Sequence, residues 1–85
     1  IQQGKSKNFI VNMLLTKGVK KELIYENFIK LENINIDWQY DSATIFAKKK
    51  KLGKYGNLNN KKKDLAKMSR AGFNYQITLR ALGYD

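Results

Sequence analysis

Residues 65–82 read LAKMSRAGFNYQITLRAL: Leu65 and Met68 stand about one helical turn apart, Gly72, Phe73 and Asn74 follow, and a second apolar run comes in Ile77, Leu79 and Leu82. Glycine lacks the Cβ that makes left-handed backbone costly, so it ends a helix readily, and an asparagine oxygen accepts free amide hydrogens at the next helix start. The stretch therefore predicts a helix that stops at Gly72 and a short helix capped by Asn74. Shifted by 54 residues, the pattern occurs earlier: VNMLLTKGVKKEL (11–23) lies over LAKMSRAGFNYQI (65–77). Val11 falls on Leu65, Leu14 on Met68, Gly18 on Gly72, Val19 on Phe73, Leu23 on Ile77 and Phe28 on Leu82. Each copy predicts a helix, a glycine turn, an inward hydrophobe and a second helix, and stacked units of this kind bury faces that one unit cannot cover alone.

Outward from these copies the helical period continues. Between Lys5 and Lys17, Phe9, Ile10, Met13 and Leu14 recur at i, i+3, i+4, with Val11 and Leu15 widening the apolar face. Leu23, Ile24, Phe28 and Leu31 pattern a second helix, which residues 33–36 interrupt. Asp37 is expected to cap a third helix with Trp38, Ala43, Phe46 and Ala47 as its buried stripe, fraying near Gly53 or Gly56. The glycine- and asparagine-rich segment 53–60 is expected to be a mobile loop before a fourth helix that begins near Asn60. The fold class expected is all-α, about five helices built as tandem three-helix repeats: residues 1–36 carry the last two helices of one repeat, and 37–85 the following repeat with its basic loop 53–60. The chain begins at Ile1 without a methionine, and further sequence is expected before it.

Eighty-five residues suffice for one small domain, too small for a deep catalytic cavity. There is no cysteine and no proline, so the chain has no disulfide or thiolate metal site, and the cytoplasm is the compartment expected. No run reaches the roughly 18–20 apolar residues of a membrane span, and no signal-peptide pattern opens the chain. Histidine is absent as well, and Glu22, Glu26, Glu32, Asp37, Asp41, Asp64 and Asp85 lack the spacing of an acid/base pair or metal site. Neither an enzyme nor a cofactor is expected.

Charge is unevenly distributed. Residues 1–41 hold six basic and five acidic side chains, whereas 42–85 hold eleven basic and two acidic. The excess concentrates in AKKKKLGKYGNLNNKKK (47–63), with eight lysines and no carboxylate. Such a field attracts polyanions, nucleic acid foremost. Tyr55 lies within it and is the aromatic best placed to stack on a base, while Trp38, Phe46 and Phe73 fall on inward faces. Three shorter motifs carry less. GKS (4–6) is the tail of a P-loop without its upstream glycine, and GKYG (53–56) resembles a KH clamp without its strands. Either glycine-centred helix pair could be a helix-turn-helix DNA-binding module, although the last helix offers only Gln76, Thr78 and Arg80 to read bases.

The chain resembles the RecX family of recombination regulators over nearly its whole length. The resemblance is carried by GKSKNFIVNMLLTKGVKKELI (4–24), by the alanine–lysine helix DSATIFAKKKK (41–51), and most distinctively by the closing stretch quoted first, with Arg70, Ala71, Gly72, Phe73 and Asn74. Two departures are Lys20, where the family often has a capping serine, and the segment 53–60, which is poor in the usual charges. Membership would imply tandem three-helix repeats and a small cytoplasmic bacterial protein, with no catalytic site, that binds the RecA filament, inhibiting its recombination, ATPase and strand-exchange activities. The expected partners are the RecA filament and, without sequence preference, DNA; no membrane and no second copy is expected. The expected contacts are Lys48, Lys49, Lys50 and Lys51 at the end of the third helix, with Lys54 and Tyr55 beyond it. Lys61, Lys62, Lys63, Lys67, Arg70 and Arg80 complete the set.

Overall fold

In the structure, a computed structural model describing residues 4–84, α1 spans Lys7–Thr16, α2 Lys21–Ile34, α3 Trp38–Lys50, α4 Lys61–Arg70 and α5 Tyr75–Leu82. Single 3₁₀ turns lie at Gly53–Tyr55 and Leu58–Asn60. The protein is all-α, with no strand among the described residues; Ile1 and Asp85 lie outside them.

The α1–α2 and α4–α5 turns coincide at the offset of 54 residues. Helices α1 and α4 are both ten residues long, and α2 and α5 start at Lys21 and Tyr75. Gly18 and Gly72 are both left-handed, at φ 85° and 96°. Their amides donate to the Leu15 and Ser69 carbonyls (3.0 and 2.9 Å), and the next amides, of Val19 and Phe73, to Leu14 and Met68 (3.0 and 3.2 Å). These bonds satisfy carbonyls that a helix end would otherwise leave free. The following caps differ: Asn74 Oδ1 accepts the Ile77 amide at 2.8 Å, whereas Lys20 offers no side-chain cap.

Side chains collect into two clusters. Ala43, Ala47, Leu52, Met68, Phe73, Ala81 and Leu82 form the larger, between α3, α4 and α5; Phe73 is buried there and meets Phe46 at 5.6 Å between ring centroids. Ile24, Phe28 and Trp38 form the smaller, with Trp38 fully buried and stacked on Phe28 at 5.5 Å. The expected inward stripe of α1 needs correction. Ile10, Val11 and Leu14 pack against the smaller cluster, but Phe9, Met13 and Leu15 are exposed, as is Leu23 on α2, where Ile24 takes the buried place. Apolar residues surround most of α1, so periodicity could not say which side finds a partner. Asp37 also departs from expectation. It stands at the N-cap of α3 but makes no capping bond; Asn35 Oδ1 instead accepts the Asp37 amide (3.0 Å), while Asn35 Nδ2 donates to Asp41 (2.9 Å).

The clusters are joined by the segment leading into α1. Ser6 is buried, and its Oγ both accepts the Phe9 amide (3.1 Å), capping α1, and donates to the Ala71 carbonyl (2.7 Å) in the α4–α5 turn. Asn8 Nδ2 donates to the Gly72 carbonyl (3.2 Å), and Ser42 Oγ donates to the Lys5 carbonyl. Gly4 lies so close to α3 that a Cβ there would come within 2.9 Å of the Phe46 nitrogen. GKS is thus a clasp and helix cap between α3 and the α4–α5 turn.

The two turn glycines face different surroundings. A Cβ on Gly72 would meet Ser6 Oγ at 2.5 Å, whereas one on Gly18 would meet nothing within 4 Å. Gly18→Ala should cost the left-handed penalty alone, about 1–2 kcal/mol. Gly72→Ala should cost roughly 1–3 kcal/mol more, because it also displaces a buried hydroxyl from its partners. Urea denaturation of both variants checks this, and equal losses would remove the clasp from the account.

Candidate functional site

The lysine-rich segment is held in place from beneath. Helix α3 ends at Lys50, and Lys51 adopts a left-handed conformation (φ 57°), a position that glycine fills at lower cost. Leu52 then turns into the core at 1% exposure, its amide donating to the Ala47 carbonyl at 2.9 Å. The Gly53 amide donates to Asp64 Oδ2 at 2.8 Å. Asp64, the sole carboxylate in the first turn of α4, is buried at 4% exposure. Tyr84 Oη donates to the Leu58 carbonyl at 3.0 Å; partial burial, and then the Asp64 charge, holds this phenol above its usual pKa. Residues 53–60 therefore form two tethered 3₁₀ turns, where a mobile loop was expected. Their tethers come from α4 and from beyond α5, outside any local sequence window.

On this base the expected contact residues separate into groups. Lys48 and Lys54 converge on the Tyr55 ring, with Nζ at 5.6 and 5.4 Å from its centroid. Tyr55 is half-buried against the larger cluster, so its ring already serves packing and two cations. Lys61 lies over the Tyr84 ring at 5.2 Å. Lys62 and Lys63 line a shallow hollow with Asn59, Asn60 and Ala66. Lys49 and Lys51 are exposed. Among the described residues, none of these lysines pairs with a carboxylate; the ion pairs are Lys7–Glu32 and Asp37–Arg80, both at 3.4 Å.

Lys50, Lys67 and Arg70 form another group. With Phe46 and Ala71 they line a cleft of about 510 Å³ between α3 and α4. Phe46, Arg70 and Ala71 also line an adjoining hollow of about 250 Å³ with Gly4, Lys5, Ser6 and Phe9. Lys5, Phe9 and Phe46 are thus surface residues of this site that the sequence reading did not select. In the sequence, Lys5 belongs to GKS and Phe46 to the inward stripe predicted for the third helix. Arg80 stands apart: its guanidinium stacks on Tyr40 at 4.0 Å and pairs with Asp37, joining α5 to the start of α3.

No protein-family model, no curated protein and no solved structure matches the chain. Among the described residues no helix is long and apolar enough to cross a membrane.

Asp64→Ala tests whether the basic segment is held by its buried carboxylate. The variant should lose about 1.5–3 kcal/mol, the range for a charge-assisted bond. Amide exchange at Gly53 should accelerate well ahead of exchange in the middle of α4. Unchanged protection at Gly53 would show that the carboxylate does not hold the turn.

Proposed function

We propose that the chain regulates recombination by docking on the RecA–DNA filament, as its resemblance to the RecX family implies, and that it lowers the filament's ATPase and strand-exchange activity. In this reading it acts in the cytoplasm as part of a tandem three-helix repeat protein, uses no cofactor and catalyses nothing itself. The observation that carries the reading is the placement of Lys61, Lys62 and Lys63 in the first turn of α4. A helix N-terminus already carries partial positive charge, so three cations there oppose the dipole and repel one another. An anionic surface laid against them reverses the sign of both terms. Lys51 points the same way, since it keeps a cation where glycine would relieve strain. Lys48–Lys50 are weaker support, because cations at the end of α3 also stabilise their own helix.

A filament of protein and DNA offers regularly spaced negative charge, which a cationic surface without base-reading groups would bind by its backbone. The alternative is a helix-turn-helix module that reads DNA directly. In α5, Thr78 is buried and Arg80 is committed to Tyr40 and Asp37, which leaves Gln76 as the free polar group named for readout.

Filament co-sedimentation and RecA ATPase assays test the proposal. The chain should bind RecA–DNA filaments more tightly than the same DNA alone and should slow ATP hydrolysis. Changing Lys49, Lys62 and Lys63 together to glutamine should leave the fold intact and weaken binding. The slope of log K against log salt should flatten by up to about 3, at roughly 0.9 per lost phosphate contact. Binding to DNA that is indifferent to RecA and discriminates sequences would favour the helix-turn-helix reading.

A further inference from the structure

The hollow beside the clasp continues along α1. Phe9 and Met13 stand four residues apart on that helix, 44% and 38% exposed, and with Asn12, Thr16 and Lys17 they border an open hollow of about 340 Å³. Phe9 also lines the hollow at the clasp, and Phe46 and Arg70 line both that hollow and the cleft between α3 and α4. Shared lining residues set the three side by side, a trough of adjoining hollows running from α1 over the clasp to Lys50 and Lys67.

Its chemistry is graded. The α1 end is apolar with a single cation, Lys17; Lys5 stands midway; Lys50, Lys67 and Arg70 rim the far end, and among the described residues no carboxylate lines these hollows. Lys67 and Arg70 are three residues apart on α4, so they share a face. We infer that this trough is a docking groove for an amphipathic, acidic segment of another protein, with apolar side chains on Phe9 and Met13 and carboxylates on Lys50, Lys67 and Arg70. Charge complementarity selects the acidic end: Arg70 can fork onto a carboxylate, and two lysines stand beside it.

The apolar end selects protein over nucleic acid. A nucleic-acid strand carries phosphate along its whole length and would leave the α1 section unmatched. The aromatic rings also have neighbours already: Lys5 Nζ lies 4.7 Å from the Phe9 centroid, and Phe46 is packed on Phe73. A base could stack only on the ring faces these neighbours leave open. Met13, by contrast, is an unbranched thioether that adapts to the side chains of an apolar partner. Lys49, Lys62 and Lys63 do not line the groove, and the inference holds whether or not the anionic surface they meet is a recombinase filament.

The test uses the full chain and a fluorescein-labelled helical peptide with two leucines one turn apart followed by a run of glutamates, a helix-in-groove probe. Controls are the same peptide with serines for leucines, and oligothymidylate. The leucine–glutamate peptide should shift the Met13 methyl and Arg70 guanidinium NMR signals and bind about tenfold more tightly than its serine version, a difference near 1.4 kcal/mol. Met13→Ser should lower affinity several-fold for the leucine peptide and leave the serine peptide unaffected. Arg70→Gln should weaken both. These positions are exposed, so the variants should fold, and unchanged circular dichroism melting checks that. Equal binding of leucine and serine peptides would overturn the inference, reducing the groove to a charge patch. So would oligothymidylate shifting Met13 and Arg70 where the peptide does not, which would make it a nucleic-acid site.

Discussion

The Ser6 hydroxyl holds the architecture together by serving two helix systems at once. As an acceptor it caps α1, and as a donor it closes on the Ala71 carbonyl in the turn after α4. A buried hydroxyl with both functions satisfied is favourable, while one that loses either partner carries the cost of desolvation. The two apolar clusters share no buried residue, so α1 depends on this clasp and on Phe28–Trp38 stacking for its position relative to α4 and α5. Neighbouring groups reinforce the arrangement through Asn8 on Gly72 and Ser42 on Lys5. The molecule is correspondingly elongated, with extents of 42 × 25 × 19 Å.

The molecule carries two kinds of surface. The lysine-rich turns are tied down by a buried carboxylate and a tyrosine, so a dense cationic field sits on defined backbone. That arrangement favours fast encounter with an anionic partner, because charges on ordered backbone need less ordering on contact. The trough across the clasp is different in kind, part apolar and part cationic. Long-range steering by one surface and short-range fit in the other would divide association rate from residence time.

Local chemistry made much of this legible in the sequence. Glycine at 18 and 72 and asparagine at 74 act within a few residues of themselves, and the ends of α1 and α4 and the start of α5 follow from them. Features set by distant partners were not legible. Asp37 reads as a cap, but it makes no capping bond, and its carboxylate pairs at 3.4 Å with Arg80, 43 residues on. Segment 53–60 reads as a loose loop until Asp64 and Tyr84 supply its tethers. The lysines were evident as a block, but Lys5, Phe46 and Arg70 come from three separate segments, and no spacing rule assembles them into one groove.

The clasp also orders events during synthesis. Ser6 and Ala71 are 65 residues apart, and at about 5–20 residues per second a ribosome needs roughly 3 to 13 s to make the second after the first. During that interval α1 can meet α2 and, once made, α3, but not the α4–α5 turn; α1 has no fully buried side chain, and Phe9 and Met13 face the medium. The turn that completes the surroundings of α1 thus follows it by 65 residues. A pause in translation before residue 71 prolongs the exposure of that surface, and chaperones that recognise short apolar stretches would have their opportunity there.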